Sequence, residues 1–251
     1  MSEFQIFPIG REDIGAPKLV AGGVSVVLQR HEEFVIEPSA ENAGSITSLD
    51  AYDTDVAFFD SLIGHESVHG PKTTALFTAS DSRYGVRGYR SVETTELAIQ
   101  AMADVLHDHR KDSAGRVINL CPDFYINRHV PSDEDVRPVP ALRERQPDER
   151  ASDVLRRTHG VLQNFVDYAR VFHTHNPNRH LVIWAGTHMG VISPLVRAIT
   201  GGVLEDRLPV EYGGGVVINA RPDHADLQLT TRTQTVSFRL GGRAMAGVGG
   251  F

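Results

Sequence analysis

Val24-Ser-Val-Val-Leu28 runs straight on into Gln29-Arg30-His31-Glu32, and this stretch decides the fold. An unbroken run of β-branched apolar residues suits a strand buried on both faces, as in α/β proteins. Four similar runs follow: Thr74-Ala-Leu-Phe77, Arg116-Val-Ile-Asn-Leu120, Leu181-Val-Ile-Trp184 and Gly215-Val-Val-Ile-Asn219. Alternating segments at 227–231 and 235–240 predict an edge hairpin. Between the strands, apolar residues recur at helical spacing. Ala98, Ala101, Met102 and Val105 do so after Ser91, and Leu155, Leu162, Phe165, Val166 and Ala169 do so in a longer helix over 151–172. This order of elements predicts a three-layer α/β/α sandwich with a mostly parallel central sheet.

The chain has 251 residues, which fits one large α/β domain. Residues 1–23, with Pro8, Gly10, Gly15, Pro17 and Gly22-Gly23, read as an extended arm leading into a domain over 24–251. The proline-rich, charged segment 121–149 reads as an excursion over the surface, a lid or substrate loop. A net charge of -7 argues against a nucleic-acid partner. A locally positive pocket for a small anion is still compatible with it. No apolar run reaches a membrane span. The opening lacks a signal-peptide pattern, and the single cysteine, Cys121, excludes an internal disulfide. A cytoplasmic location is the expectation. The oligomeric state stays open, with a homodimer allowed.

Active sites of open α/β sheets collect at the carboxyl ends of strands. Arg30 and His31 end the first predicted strand. Ala185-Gly-Thr-His188-Met-Gly190 ends the fourth, with a helix over 190–200 to follow. Pro194 suits the first turn of that helix, which puts its start just after His188. A helix start offers free N–H groups to an oxyanion. Two histidines and an arginine are thus expected on one rim.

These residues carry a resemblance. Val26-Val-Leu-Gln-Arg30-His31-Glu32 resembles the strand and Arg-His-Gly motif of the histidine phosphatase superfamily, which includes the cofactor-dependent phosphoglycerate mutases. Arg90-Ser-Val-Glu-Thr94 is similar to the family's second arginine segment, and Leu181-Val-Ile-Trp-Ala-Gly-Thr-His188-Met-Gly-Val-Ile to its second histidine segment. Gly215-Val-Val-Ile-Asn219 resembles the strand that follows. Glu149, Asp153 and Arg157 sit at a spacing common in the helix before the second histidine. The matches run in order over residues 24–220.

The resemblance implies a phosphoglycerate mutase-like fold. It also implies a metal-independent phosphoric monoester hydrolase that uses no cofactor and acts on a small phosphorylated metabolite through a phosphohistidine. His31 would attack phosphorus through one ring nitrogen while the other donates to a backbone carbonyl. Arg30, Arg90 and His188 would hold the phosphoryl oxygens with Met189 beside them, since guanidinium forks match those oxygens. A carboxylic acid must protonate the leaving oxygen. Asp123 is the nearest fit, with Glu134, Asp133 and Asp81 as alternatives, and Arg83 and Arg87 compete with Arg90.

The chain also departs from the family pattern. Glu32 stands where a glycine is expected, and the mutases' downstream Leu-Thr-x-x-Gly pattern is missing between 33 and 65. This argues against phosphoglycerate mutase itself, although a phosphomutase remains an alternative. Met189 after His188 argues against the branch with His-Asp there. A non-catalytic phosphate-binding protein on the same fold is a second alternative. A third is a zinc metalloprotease, from His65-Glu-Ser-Val-His69. Gly64 before that motif and Gly70-Pro71 after it make a poor helix. Glu93, Glu149, Asp153 and Arg157 read as helix-start charges and solvated faces. His107, His109, His173 and His175 read as exposed helix ends.

Overall fold

The computed structural model describes residues 8–15, 19–34, 46–68, 71–80, 90–108, 137–204, 207–221, 226–231 and 235–240; for 65–68 and 137–138 the backbone alone is described. The strands are β1 (Val24–Arg30), β2 (Lys72–Ala79), β3 (Arg137–Pro138), β4 (Arg179–Thr187), β5 (Gly215–Ala220), β6 (Asp226–Thr230) and β7 (Thr235–Arg239). The helices are α1 (Ala51–Val68), α2 (Arg90–Asp108), α3 (Ala151–His175) and α4 (Met189–Thr200). The sheet order is β3-β2-β4-β1-β5-β6-β7. The first four strands in that order are parallel, β5 is reversed, and β6–β7 is an antiparallel hairpin. This is the expected mostly parallel three-layer sandwich.

Side chains of β1 alternate between two cores. Val24, Val26 and Leu28 pack with Val154, Leu162 and Val166 of α3 and Val191, Ile192 and Leu195 of α4. Val27 points the other way, with Trp184 of β4, Phe58 and Phe59 of α1 and Ile99 and Met102 of α2. Both faces are therefore apolar, as the unbroken runs require. Trp184 meets Phe58 edge-on at 5.1 Å and stacks on Phe59 at 5.3 Å. Such aromatic pairs add about 0.5–1.5 kcal/mol each beyond their burial.

The crossovers place the site. The connection from β1 leads to α1 on one face, whereas that from the adjacent parallel β4 leads to α4 on the other. Their carboxyl ends diverge into a crevice, the usual ligand position in such sheets. Helix α4 begins at Met189 with His188 as its N-cap. Pro194 is the sixth residue of the helix, deeper than the first turn assumed from the sequence, and forgoes a bond to the Gly190 carbonyl. The expected strand at 116–120 lies outside the described residues. Within them the edge beside β2 is the two-residue β3. The backbone of α1 runs to Val68, while His69 and the side chains of His65 and Glu66 lie outside the described residues. Among the described residues, no helix is long and apolar enough to cross a membrane.

Far from the crevice, a buried polar ladder spans β5, β1 and β4. Ser25 donates to Asn219 at 2.6 Å, and Nε2 of His180 lies 2.9 Å from Ser25 Oγ. The other ring nitrogen of His180 lies within 3.2 Å of the Val20 backbone. His173, read from the sequence as an exposed helix end, is half-buried, with Nε2 3.1 Å from the Gly23 carbonyl. Burial lowers the pKa of His180 to about 4. The unfolded chain therefore gains a proton near pH 6.5 that the native state refuses, and stability falls as pH drops from 6.5 toward 4, by about 1.4 kcal/mol per unit. A His180→Gln variant lacks this penalty. Urea denaturation at pH 7, 6 and 5 is expected to show the gap between wild type and variant narrowing as pH falls; a constant gap would show that His180 takes up its proton at the same pH folded and unfolded.

Candidate active site

Strand register assembles the site. In the parallel pairings Arg30 aligns with Thr187 and Ala79 with Gly186. One step beyond these pairings His31 stands beside His188, while Ser80 falls level with Thr187, one residue short of that row. The backbone carries the ladder one step further: the His31 N–H donates to the Thr187 carbonyl at 3.0 Å and the Ser80 N–H to the Gly186 carbonyl at 2.9 Å. The His31 and His188 rings sit 5.1 Å apart. His188 Nε2 lies 2.9 Å from Ser80 Oγ, which donates onward to Ser91 Oγ at 3.0 Å.

His31 is buried, and its Nδ1 lies 2.7 Å from the Glu32 carbonyl oxygen. A carbonyl only accepts, so Nδ1 carries the proton and Nε2 keeps the lone pair. Burial, followed by the charges of His188, Arg90 and Arg30, lowers the His31 pKa to about 2. The ring is therefore neutral at physiological pH. The rings of Phe34 and Tyr212 flank it at 5.1 and 5.7 Å.

Each arginine is braced on one of those two rings. The Arg30 guanidinium carbon lies 3.7 Å over Tyr212, and that of Arg90 lies 4.2 Å over Phe34. Arg30 also donates to the Val210 carbonyl, and Arg90 is ion-paired with Glu144. Among the described residues, the Nε atoms of both arginines are nonetheless buried without a hydrogen-bond partner. Donors of this kind are costly unless something accepts from them.

Helix α2 delivers Arg90 at its first residue, and Gly186 of β4 makes this possible. A Cβ at Gly186 would meet Thr95 Oγ1 at 2.3 Å and the Ser91 carbonyl at 2.4 Å. The first turn of α2 thus rests directly on the strand that carries His188.

Glu144 is the carboxylate among the described residues that faces this group. It lines a cleft of about 300 Å³ together with Arg30, His31, Arg145, Met189 and Arg207. Its loop is stapled to α3. Arg157 donates to Glu149 at 2.8 and 3.2 Å, to the Arg143 carbonyl at 2.9 Å and to the Ala141 carbonyl. Arg143 adds a bond to Glu149 at 3.1 Å. The Arg157 guanidinium holds the Glu149 pKa down at about 2. Glu149 and Arg157 are thus a half-buried brace rather than the solvated face read from the sequence; Asp153 is exposed, beside Arg156.

The structure brings together Arg30, His31, Arg90, His188 and Met189. Asp123, Glu134, Asp133, Asp81, Arg83 and Arg87 lie outside the described residues. Sequence reasoning missed Glu144, Ser80, Phe34 and Tyr212. Nothing in Leu142-Arg-Glu-Arg145 marks Glu144 in the sequence, since the strand before it is only two residues long.

No protein-family model matches the chain, and no curated protein is similar to it. Among solved structures, a mycobacterial glucosyl-3-phosphoglycerate phosphatase is 13% identical, covering 77% of this chain and 89% of its own, with a TM-score of 0.38. A phosphoglycerate mutase from Bacillus anthracis is 10% identical over 90% of this chain and 95% of its own, at 0.38. Bacillus stearothermophilus YhfR is 14% identical over 78% and 90%, at 0.34. Likeness at these TM-scores carries no weight for function, which rests on the chemistry of the cleft.

Two outcomes are expected from this geometry. The His31 ring resonances should show no inflection between pH 8 and 5; a midpoint near 6.5 would mean that the ring is solvated. Gly186→Ala should cost about 1–3 kcal/mol through overpacking. It should also weaken binding of vanadate or inorganic phosphate by displacing Arg90. Unchanged melting and unchanged binding would show that α2 does not depend on this contact.

Proposed function

We infer that this chain is a histidine phosphatase that hydrolyses small phosphomonoesters through a phosphohistidine at His31. One observation carries the reading: a neutral, buried imidazole held by Nδ1, with two arginines beside it whose Nε donors lack partners. A phosphoryl group supplies the missing acceptors, and its developing charge is what such preorganised donors stabilise.

The chemistry follows from the same groups. The Nε2 lone pair of His31 forms a bond to phosphorus as the ester P–O bond breaks. The phosphoryl group takes Arg90 from Glu144, whose freed carboxylate gains a proton from solvent and passes it to the leaving oxygen. A water then attacks phosphorus, giving its proton to the Glu144 carboxylate while the N–P bond breaks and phosphate departs. Arg30, Arg90 and His188 hold the three equatorial oxygens. Glu144 takes this role in place of Asp123, because its carboxylate already reaches Arg90 in the cleft. The residues that do this work supply their own positive charge.

Rapid quenching with labelled substrate should trap acid-labile, base-stable phosphate on the peptide containing His31. His31→Ala should abolish both label and turnover. Glu144→Gln should slow hydrolysis of alkyl phosphates by about 10²–10⁴-fold. It should slow phosphorylation by p-nitrophenyl phosphate much less, because that leaving group needs little protonation. Tight phosphate binding without label or turnover would sink the reading in favour of a binding protein. Equal effects on both esters would remove Glu144 as the acid.

A further inference from the structure

The residue after the nucleophile is a glutamate, fully buried at the head of the site. Burial raises its pKa, yet several donors converge on its carboxylate. Arg11, from the segment before β1, approaches it at 3.3 Å. The backbone N–H groups of Ala51 and Glu33 lie near enough to favour its charge, although its Oε1 makes no hydrogen bond among the described residues. Ala51 is the first residue of α1, so the carboxylate also sits where that helix's dipole favours an anion.

The Glu33 N–H belongs to the same peptide unit as the Glu32 carbonyl. One end of that rigid plane therefore faces the Glu32 carboxylate, while the other accepts from His31 Nδ1 at 2.7 Å. The preceding peptide is held too: the Glu32 N–H donates to Thr94 Oγ1 at 2.9 Å, and Thr94 donates to the Arg90 carbonyl at 2.8 Å. Arg11 reaches the other side of the cleft as well. Its Nε donates at 3.0 Å to the carbonyl of Tyr212, the ring on which Arg30 lies. Gly213 leaves room for the pair. Its φ is +70°, and a Cβ there would meet Glu32 Oε1 at 2.5 Å and Arg11 Nε at 2.9 Å.

We propose that Glu32 and Arg11 are positioning residues: together they fix the 32–33 peptide that sets the tautomer and aim of His31, so the segment before β1 is part of the working site. The role rests on the histidine phosphatase reading for its effect on turnover, but not for its effect on the imidazole. Without the carboxylate, Arg11 loses its hold on residue 32, and the carbonyl of that residue can swing off Nδ1. A nucleophile misplaced by about 1 Å loses on the order of 10²-fold in rate. The arginines that bind the phosphoryl group stay where their aromatic braces hold them.

The test uses the whole chain and four variants: Glu32→Gln, Glu32→Ala, Arg11→Met and Arg11→Lys. Nitrogen-15 shifts of the His31 ring read the tautomer without any substrate. Wild type should show a single Nδ1–H form. Glu32→Ala and Arg11→Met should show mixed tautomers, and Arg11→Lys should restore much of the wild-type signal. Turnover of p-nitrophenyl phosphate should fall by about 10²-fold in kcat for Glu32→Ala and less for Arg11→Met, with KM within twofold. If Glu32→Ala fails to fold, Glu32→Gln and the partly exposed Arg11 variants carry the test. A wild-type tautomer in Arg11→Met and Glu32→Gln overturns the proposal, as does a loss confined to KM. A wild type that turns over no phosphomonoester refutes the phosphatase reading instead, and the ring shifts still decide the positioning.

Discussion

Register between three parallel strands is the constraint on which the site depends. His31 and His188 follow β1 and β4 at matched positions, and Ser80 follows β2 one residue short of them, so all three reach one rim. Slipping one strand by a single residue would turn its terminal side chain to the opposite face. The two cores prevent such a slip. The alternation of Val26, Val27 and Leu28 between them fixes β1, and Trp184 wedged against Phe58 and Phe59 fixes β4. The apolar packing thereby sets the placement of the polar groups.

Charge follows from that placement. The protein carries a net charge of -7, yet one rim gathers Arg30 and Arg90 around two buried imidazoles. An imidazole among cations, out of water, gives up its proton. The desolvation and Coulomb effects that make the rim attractive to an anion also keep His31 in its nucleophilic form. Glu144 is the counterweight: among the described residues it is the carboxylate paired with Arg90 at this rim.

Much of this was legible in the sequence because it rests on periodicity and order. Unbroken apolar runs gave the strands, and the strand ends gave Arg30, His31 and His188. Glu144 was not legible because it follows a strand of two residues, Arg137–Pro138, which leaves no apolar run to read. The run Arg116–Leu120 points instead to Asp123, and both lie outside the described residues. Glu149 and Arg157 misled for another reason. Charges near a helix start look solvated in one dimension, and only the fold of 141–149 over α3 encloses them. Glu32 looked like a defect in a motif because its partners, Arg11 and Ala51, are distant in the chain and carry no shared pattern.

The bond from Arg30 to the Val210 carbonyl, like that from Arg11 to Tyr212, joins residues about two hundred positions apart. Such closures form late, since chain entropy must be overcome before the contact contributes anything. During synthesis the helices and parallel strands can collapse while the nucleophile's surroundings still lack one wall. Only when the loop before β5 has docked does the rim acquire both aromatic braces. The Tyr212 side of the rim is therefore among the last parts of the fold to be completed.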